Sequence, residues 1–114
     1  MAPLVGQISK DLHTESPRFA TWIDQLSLGA GVAATYTFPA NVDHVEITYT
    51  AGKLYSRSDG SAAVVPAATI VNGTGSQEIL NGANRQVEPS SVHSFINATA
   101  CVVSFACSKA FVVG

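Results

Sequence analysis

Charge is what this sequence has least of. Of its 114 residues only 12% are Asp, Glu, Lys or Arg, against roughly 25% in an average soluble protein. Eight acids and six bases leave a formal net charge of −2, and neither sign clusters. A basic stripe that would track a phosphate backbone is missing, which argues against nucleic-acid binding. No apolar run reaches the ~18 residues of a membrane-spanning helix. The stretch from Met1 to Lys10 lacks a basic segment followed by an apolar one, so neither a membrane anchor nor a secretory leader is expected. Without a leader, the sequons at Asn72-Gly-Thr74 and Asn97-Ala-Thr99 carry little meaning.

Cysteine is scarce too. Cys101 and Cys107 both fall in the apolar run Cys101-Val-Val-Ser-Phe-Ala-Cys107. On a strand, six positions span about 20 Å at ~3.3 Å per residue, whereas a disulfide needs Cα atoms within ~7 Å. The pair is therefore expected to stay reduced. The even spacing puts both on one face, where a small apolar thiol suits a core.

The motifs of common catalytic centres are also missing. There is no Gly-rich phosphate loop with a lysine, no Cys-x-x-Cys and no His-Glu-x-x-His. Asp43 and His44 are neighbours, and neighbours on a strand point to opposite faces. A triad of His93, Asp43 and a serine would be recognisable by geometry alone, and no spacing favours it. The acids are too dispersed for a calcium loop. These absences lead to the expectation of no enzyme activity, no cofactor and no metal, with histidines at the surface or at interfaces.

What is present is mostly β-pattern. The first fifteen residues are polar and unpatterned and read as an extended N-terminal arm. Ser16 and Pro17 suit a helix start, and Phe19, Trp22, Ile23 and Leu26 recur at helical spacing. A short helix or turn is expected there, making residues 1–28 an arm with a helical segment. From Gly29 the period becomes two. Val32, Ala34, Tyr36 and Phe38 alternate with smaller or polar residues, and so do Val45, Ile47 and Tyr49. Ala51-Gly52 reads as a turn that pairs the second of these strands with Lys53–Arg57 as a hairpin. The stretch 62–71 is apolar but contains Pro66, which confines any strand there to an edge or bulge. Short strands are expected near 77–80 and 85–87, then at 93–96 and 100–107. Six to eight strands with regular turn signals predict an all-β fold, a single β-sandwich over residues 29–114, either immunoglobulin-like or jelly-roll-like.

Tyr55, Arg57, Gly60, Ala62, Ala63, Pro66, Ala67, Ala68 and Gly73 to Ser76 form one further pattern: a strand ending in an aromatic and a basic residue, a Gly-x-Ala-Ala-x-Pro-Ala-Ala segment, and a Gly-Thr-Gly-Ser turn. This resembles small virion proteins of tailed phages, over about residues 30–107, with an extra valine at 64 or 65 and a Lys-Ala-Phe-Val-Val-Gly tail as departures. The resemblance implies a particle component without catalytic residues. Its leading form is a capsid decoration, or cement, protein on the capsid exterior, made in the host cytoplasm, with the major capsid protein or other virion proteins as partners. A homo-oligomer, such as a trimer, is implied by analogy. Alternatives are a tail, baseplate or fibre component, and a carbohydrate-binding adhesion module using Tyr49, Tyr55 or Trp22. The low charge fits a surface covered by neighbouring chains, since interface cores are depleted in charge. The contact residues this suggests are Lys10, Arg18, Phe19, Trp22, Ile23, Tyr55 and Arg57.

Overall fold

The computed structural model describes residues 20–109. Eight strands follow one another: β1 (Trp22–Leu28), β2 (Ala34–Thr37), β3 (His44–Tyr49), β4 (Leu54–Arg57), β5 (Gln77–Ile79), β6 (Ala83–Gln86), β7 (Val92–Asn97) and β8 (Cys101–Ser108). They form two four-stranded sheets, ordered β1-β8-β3-β6 and β2-β7-β4-β5, and every pairing is antiparallel.

The pairings obey a simple rule. β1 meets β8, β2 meets β7, β3 meets β6 and β4 meets β5. The chain is one long hairpin whose two arms run side by side, wrapped so that β3 also pairs β8 and β4 also pairs β7. Eight strands wound in this way are a jelly roll, which decides between the two sandwich types the pattern left open. Every connection except β4–β5 passes from one sheet to the other, so the β4–β5 segment is the apex of the long hairpin.

Alternation along each strand fills the space between the sheets. Val103, Phe105 and Cys107 of β8 are buried, as are Val45 and Ile47 of β3, Leu54 of β4, Phe95 of β7 and Phe38 just after β2. Phe105 is central: Tyr36 stacks on it with centroids 4.2 Å apart, while Phe95 and Phe38 approach at 5.0 and 5.9 Å. Burial of one such side chain contributes roughly 1.5–3 kcal/mol. Both cysteines are buried and free, at even spacing on the core face of β8.

Two expectations fail. The helix expected from Ser16 is absent over its described part: Trp22–Leu28 is strand β1, paired residue for residue with β8, and the sandwich begins before residue 29. The helical spacing of Trp22, Ile23 and Leu26 coincided with a two-residue alternation of Asp24, Leu26 and Leu28, which face inward, and the β8 edge supplies hydrogen bonds that outweigh local propensity. The hairpin expected across Ala51-Gly52 is not one either, because β3 and β4 lie in different sheets. Gly52, at φ 69°, turns the chain across the sandwich end. The arm at residues 1–15, and Lys10, Arg18 and Phe19, lie outside the described residues.

Candidate functional site

The β4–β5 connection is where the chain leaves its core. Residues 58–76 contain no strand. Two side-chain hydroxyls fix the base. The amide of Ala63 donates to Ser94 Oγ at 2.8 Å, which holds Ala63, itself buried, against the outer face of β7. The amide of Val64 donates to Ser76 Oγ at 2.9 Å and closes the loop's neck. Beyond that neck the segment is uncharged and apolar, yet Val64, Ile70 and Val71 are 56%, 47% and 91% exposed. At the tip, Asn72 Oδ1 accepts hydrogen bonds from the amide and hydroxyl of Thr74, and Gly73 takes a positive φ of 82°. A loop with joined ends and its own internal turn has the character of an Ω-loop.

Tyr55 and Arg57 stand beside this base. They occupy alternate positions of β4 and share the outer face of the second sheet, with Tyr55 opposite Ile96 and Glu78, and Arg57 opposite Ser94. Arg57 donates to Asp59, whose carboxylate also accepts from the amide of Ser61. The Arg57 hydrogen bond, helped by that amide, holds the Asp59 carboxyl below the usual range. Arg57, Thr35, Ala62, Val92 and Ser94 line a groove of about 160 Å³ next to the loop.

Trp22 and Ile23 fall elsewhere, on edge strand β1 of the first sheet, at 49% and 63% exposed. Trp22 Nε1 donates to Asp24 Oδ2 at 2.7 Å, and Tyr36 donates its hydroxyl to the same oxygen at 2.5 Å. Burial above all, then this bond, pushes the Tyr36 phenol far above its ordinary value, so it stays protonated. The indole is thus held by a bridge between the two sheets. Ile23, Gln25 and Ser27 continue across the outer face into Ala106, Ser104 and Val102 of β8, a strand pair whose outer side chains carry no charge, bordered by Glu46 of β3. The described contact candidates, Trp22 and Ile23 on one side and Tyr55 and Arg57 on the other, therefore lie on different sheets and do not form one patch.

Among the described residues the serine–histidine contact of Ser91 and His93 is oriented against nucleophile activation. Ser91 Oγ lies 3.1 Å from His93 Nε2 and spends its proton on the Glu88 carbonyl at 2.6 Å. His93 must then be the donor, whereas a general base would accept the serine's proton. Burial pushes the His93 pKa below its ordinary value. His44, on the outer face, meets Asn84 at 3.2 Å. Among the described residues no group of three or more His, Cys, Asp or Glu side chains is gathered as for a metal ion.

Sequence reasoning missed the projecting loop as a unit. Its signal was there: an uncharged apolar stretch with no period, interrupted by proline. Ser94, Ser76 and the Asp24–Tyr36 bridge gave no local signal, because each acts on a residue distant in the chain. Compared with known proteins, the chain matches no family model, no curated protein and no solved structure.

Proposed function

We propose that this chain is a structural protein of a tailed-phage virion, and within that class a decoration protein that binds the outer surface of an assembled capsid lattice. The observation that carries the reading is the β4–β5 loop, an apolar, uncharged projection pinned at its base and exposed beyond it. Apolar surface held in water costs about 25 cal/mol per Å², and contact with a partner recovers it. A loop already shaped by its neck and tip loses less entropy on docking than a free segment would. The uncharged outer face of β1 and β8 offers a second surface, suited to neighbouring copies of the chain in a homo-oligomer. Jelly rolls serve in viral capsids and in lectins alike, so the fold is compatible with the reading without selecting it. The sequence resemblance to small tailed-phage virion proteins, over about residues 30–107, adds support to it. Binding only to the assembled lattice would stabilise that lattice by mass action.

The test is to mix the purified chain with empty, expanded phage heads that lack it, then follow co-sedimentation and the melting temperature of the heads. Saturable binding with a raised melting temperature is the expected result. Binding to purified tails and not to heads would move the protein to the tail and overturn the decoration reading.

A further inference from the structure

Two Asn-Gly pairs occur in the chain, Asn72-Gly73 and Asn81-Gly82. An asparagine before glycine is open to a reaction of its own: the following backbone nitrogen attacks the side-chain amide carbon, and glycine puts no Cβ in the way. Both glycines hold a positive φ, of 82° and 91°. Hydrogen bonding sets the two pairs apart.

Asn81, in the turn before β6, is closed on both sides of the reaction. Its carboxamide is gripped by the backbone of Tyr49, with Oδ1 accepting from the amide at 3.0 Å and Nδ2 donating to the carbonyl at 2.8 Å. The nitrogen that would attack, that of Gly82, donates to the Ile47 carbonyl at 2.8 Å. Attack requires that these bonds open first.

Asn72 is the reverse case. It stands at the exposed tip of the β4–β5 loop, and the Gly73 amide donates to no described residue. Thr74 Oγ1 donates to Asn72 Oδ1 at 2.6 Å, and the Thr74 amide donates to the same oxygen at 3.3 Å. Two donors on one carbonyl oxygen stabilise the charge that gathers there when its carbon is attacked, as in an oxyanion hole. Nδ2, the leaving group, is held by no described residue.

We propose that Asn72-Gly73 is a self-modifying site, at which Thr74 promotes conversion of the asparagine to an aspartate or isoaspartate. The Gly73 nitrogen gives its proton to solvent hydroxide and bonds to Asn72 Cγ. The Cγ–Nδ2 bond then breaks, and Nδ2 takes a proton from water and leaves as ammonia, which regenerates the hydroxide and closes a cyclic imide. Water opens the imide at either carbonyl. In sum, an amide and water become a carboxylate and ammonium. The change sets a negative charge in residues 60–77, a stretch that holds none. A chain left free in solution thereby loses affinity for heads as it ages, a consequence that rests on the capsid reading, whereas the site itself does not.

The test holds the full, folded chain in mildly alkaline buffer and follows both asparagines by peptide mass spectrometry. Asn72 is expected to convert at least about tenfold faster than Asn81, and in urea, where the hydrogen bonds are gone, the two rates should come together. Thr74→Val removes the hydroxyl from an exposed side chain and should slow Asn72 several-fold in the folded chain while leaving Asn81 as it was. Asn81 also reports on folding in each sample, since its conversion accelerates when the domain opens. Equal rates at the two sites in the folded native chain overturn the proposal, and so does an Asn72 rate untouched by Thr74→Val.

Discussion

The carboxamide of Asn97 fills the space that a side chain at Gly52 would need. Asn97 is fully buried at the end of β7, and a Cβ at Gly52 would meet its Oδ1 at less than van der Waals distance. The same residue serves three crossings between the sheets. Its Nδ2 donates to the Ala51 carbonyl at 2.8 Å, its Oδ1 accepts from the Thr99 amide at 2.9 Å, and its backbone carbonyl accepts from the Gly31 amide at 2.9 Å. One asparagine thus satisfies the backbone groups that the end of a sandwich would otherwise bury unpaired. It also makes the sequon at Asn97 inaccessible in the folded chain.

Replacing Gly52 therefore costs more than a positive φ alone. Gly52→Ala adds a clash with Asn97 to the left-handed backbone cost and should destabilise the domain by about 2–4 kcal/mol. Gly82 is the control: its φ is 91°, but nothing lies within 4 Å of its added Cβ. Gly82→Ala should cost about 1–2 kcal/mol. Urea midpoints at constant m-value read both, and equal losses would show that Asn97 does not confine Gly52.

The pH dependence of stability follows from His93. Its ring packs edge-on to Phe38 at 5.1 Å, and burial disfavours its charged form. The folded-state pKa lies below the unfolded value of about 6.5, so near and below that pH the unfolded chain binds the extra proton. Stability is full above pH 6.5 and declines as the pH falls through the folded-state value. Melting temperatures at pH 7.5 and 5.0 should differ more for the native chain than for His93→Gln. An unchanged difference would exclude His93 as the source.

Strand content was legible wherever one face is core and the other is solvent. Val45, Ile47 and Tyr49 show this, as do Cys101, Val103, Phe105 and Cys107, because a half-buried strand writes its period into the chain. β1 was not legible: as an edge strand it leaves Trp22 and Ile23 exposed together, so two adjacent apolar residues imitate a helical stripe. The sheet exchange at Gly52 was hidden as well. A glycine after alanine fits a hairpin and a crossing equally, and the residue that decides between them, Asn97, lies far along the chain. For the candidate site, the sequence pattern put Tyr55 and Arg57 at a strand end, which is where they lie on β4. The loop's anchors were not, since Ser94 is one ordinary serine on β7 until Ala63 arrives beside it.

The two cysteines offer a direct check on the core. Cys107 is inaccessible and Cys101 nearly so, and burial above all pushes the Cys107 thiol up. A thiol reagent acts on the thiolate, so Ellman's reagent should label neither residue in the native state and both after unfolding in urea. Labelling in dilute buffer should proceed only at the rate of opening. Rapid reaction of one thiol per chain in the native state would contradict the packing of β8.

The loop yields a prediction that separates folding from function. Among the described large apolar side chains Val71 is the most exposed, at 91%, so Val71→Asp should change stability by less than about 0.5 kcal/mol. The same substitution puts a charge in the middle of the proposed contact, where an unpaired carboxylate must be desolvated, and head binding should be lost. Ala63→Asp is the opposite case. Ala63 is 2% exposed and bonded to Ser94, so the charge would be buried at the loop's anchor and the domain should lose stability outright. If Val71→Asp instead binds heads as the native chain does, the loop is not the contact, and the uncharged face of β1 and β8 becomes the surface to vary next. If Val71→Asp unfolds the domain, the loop is a cover for the second sheet, and the observation that carries the capsid reading is gone.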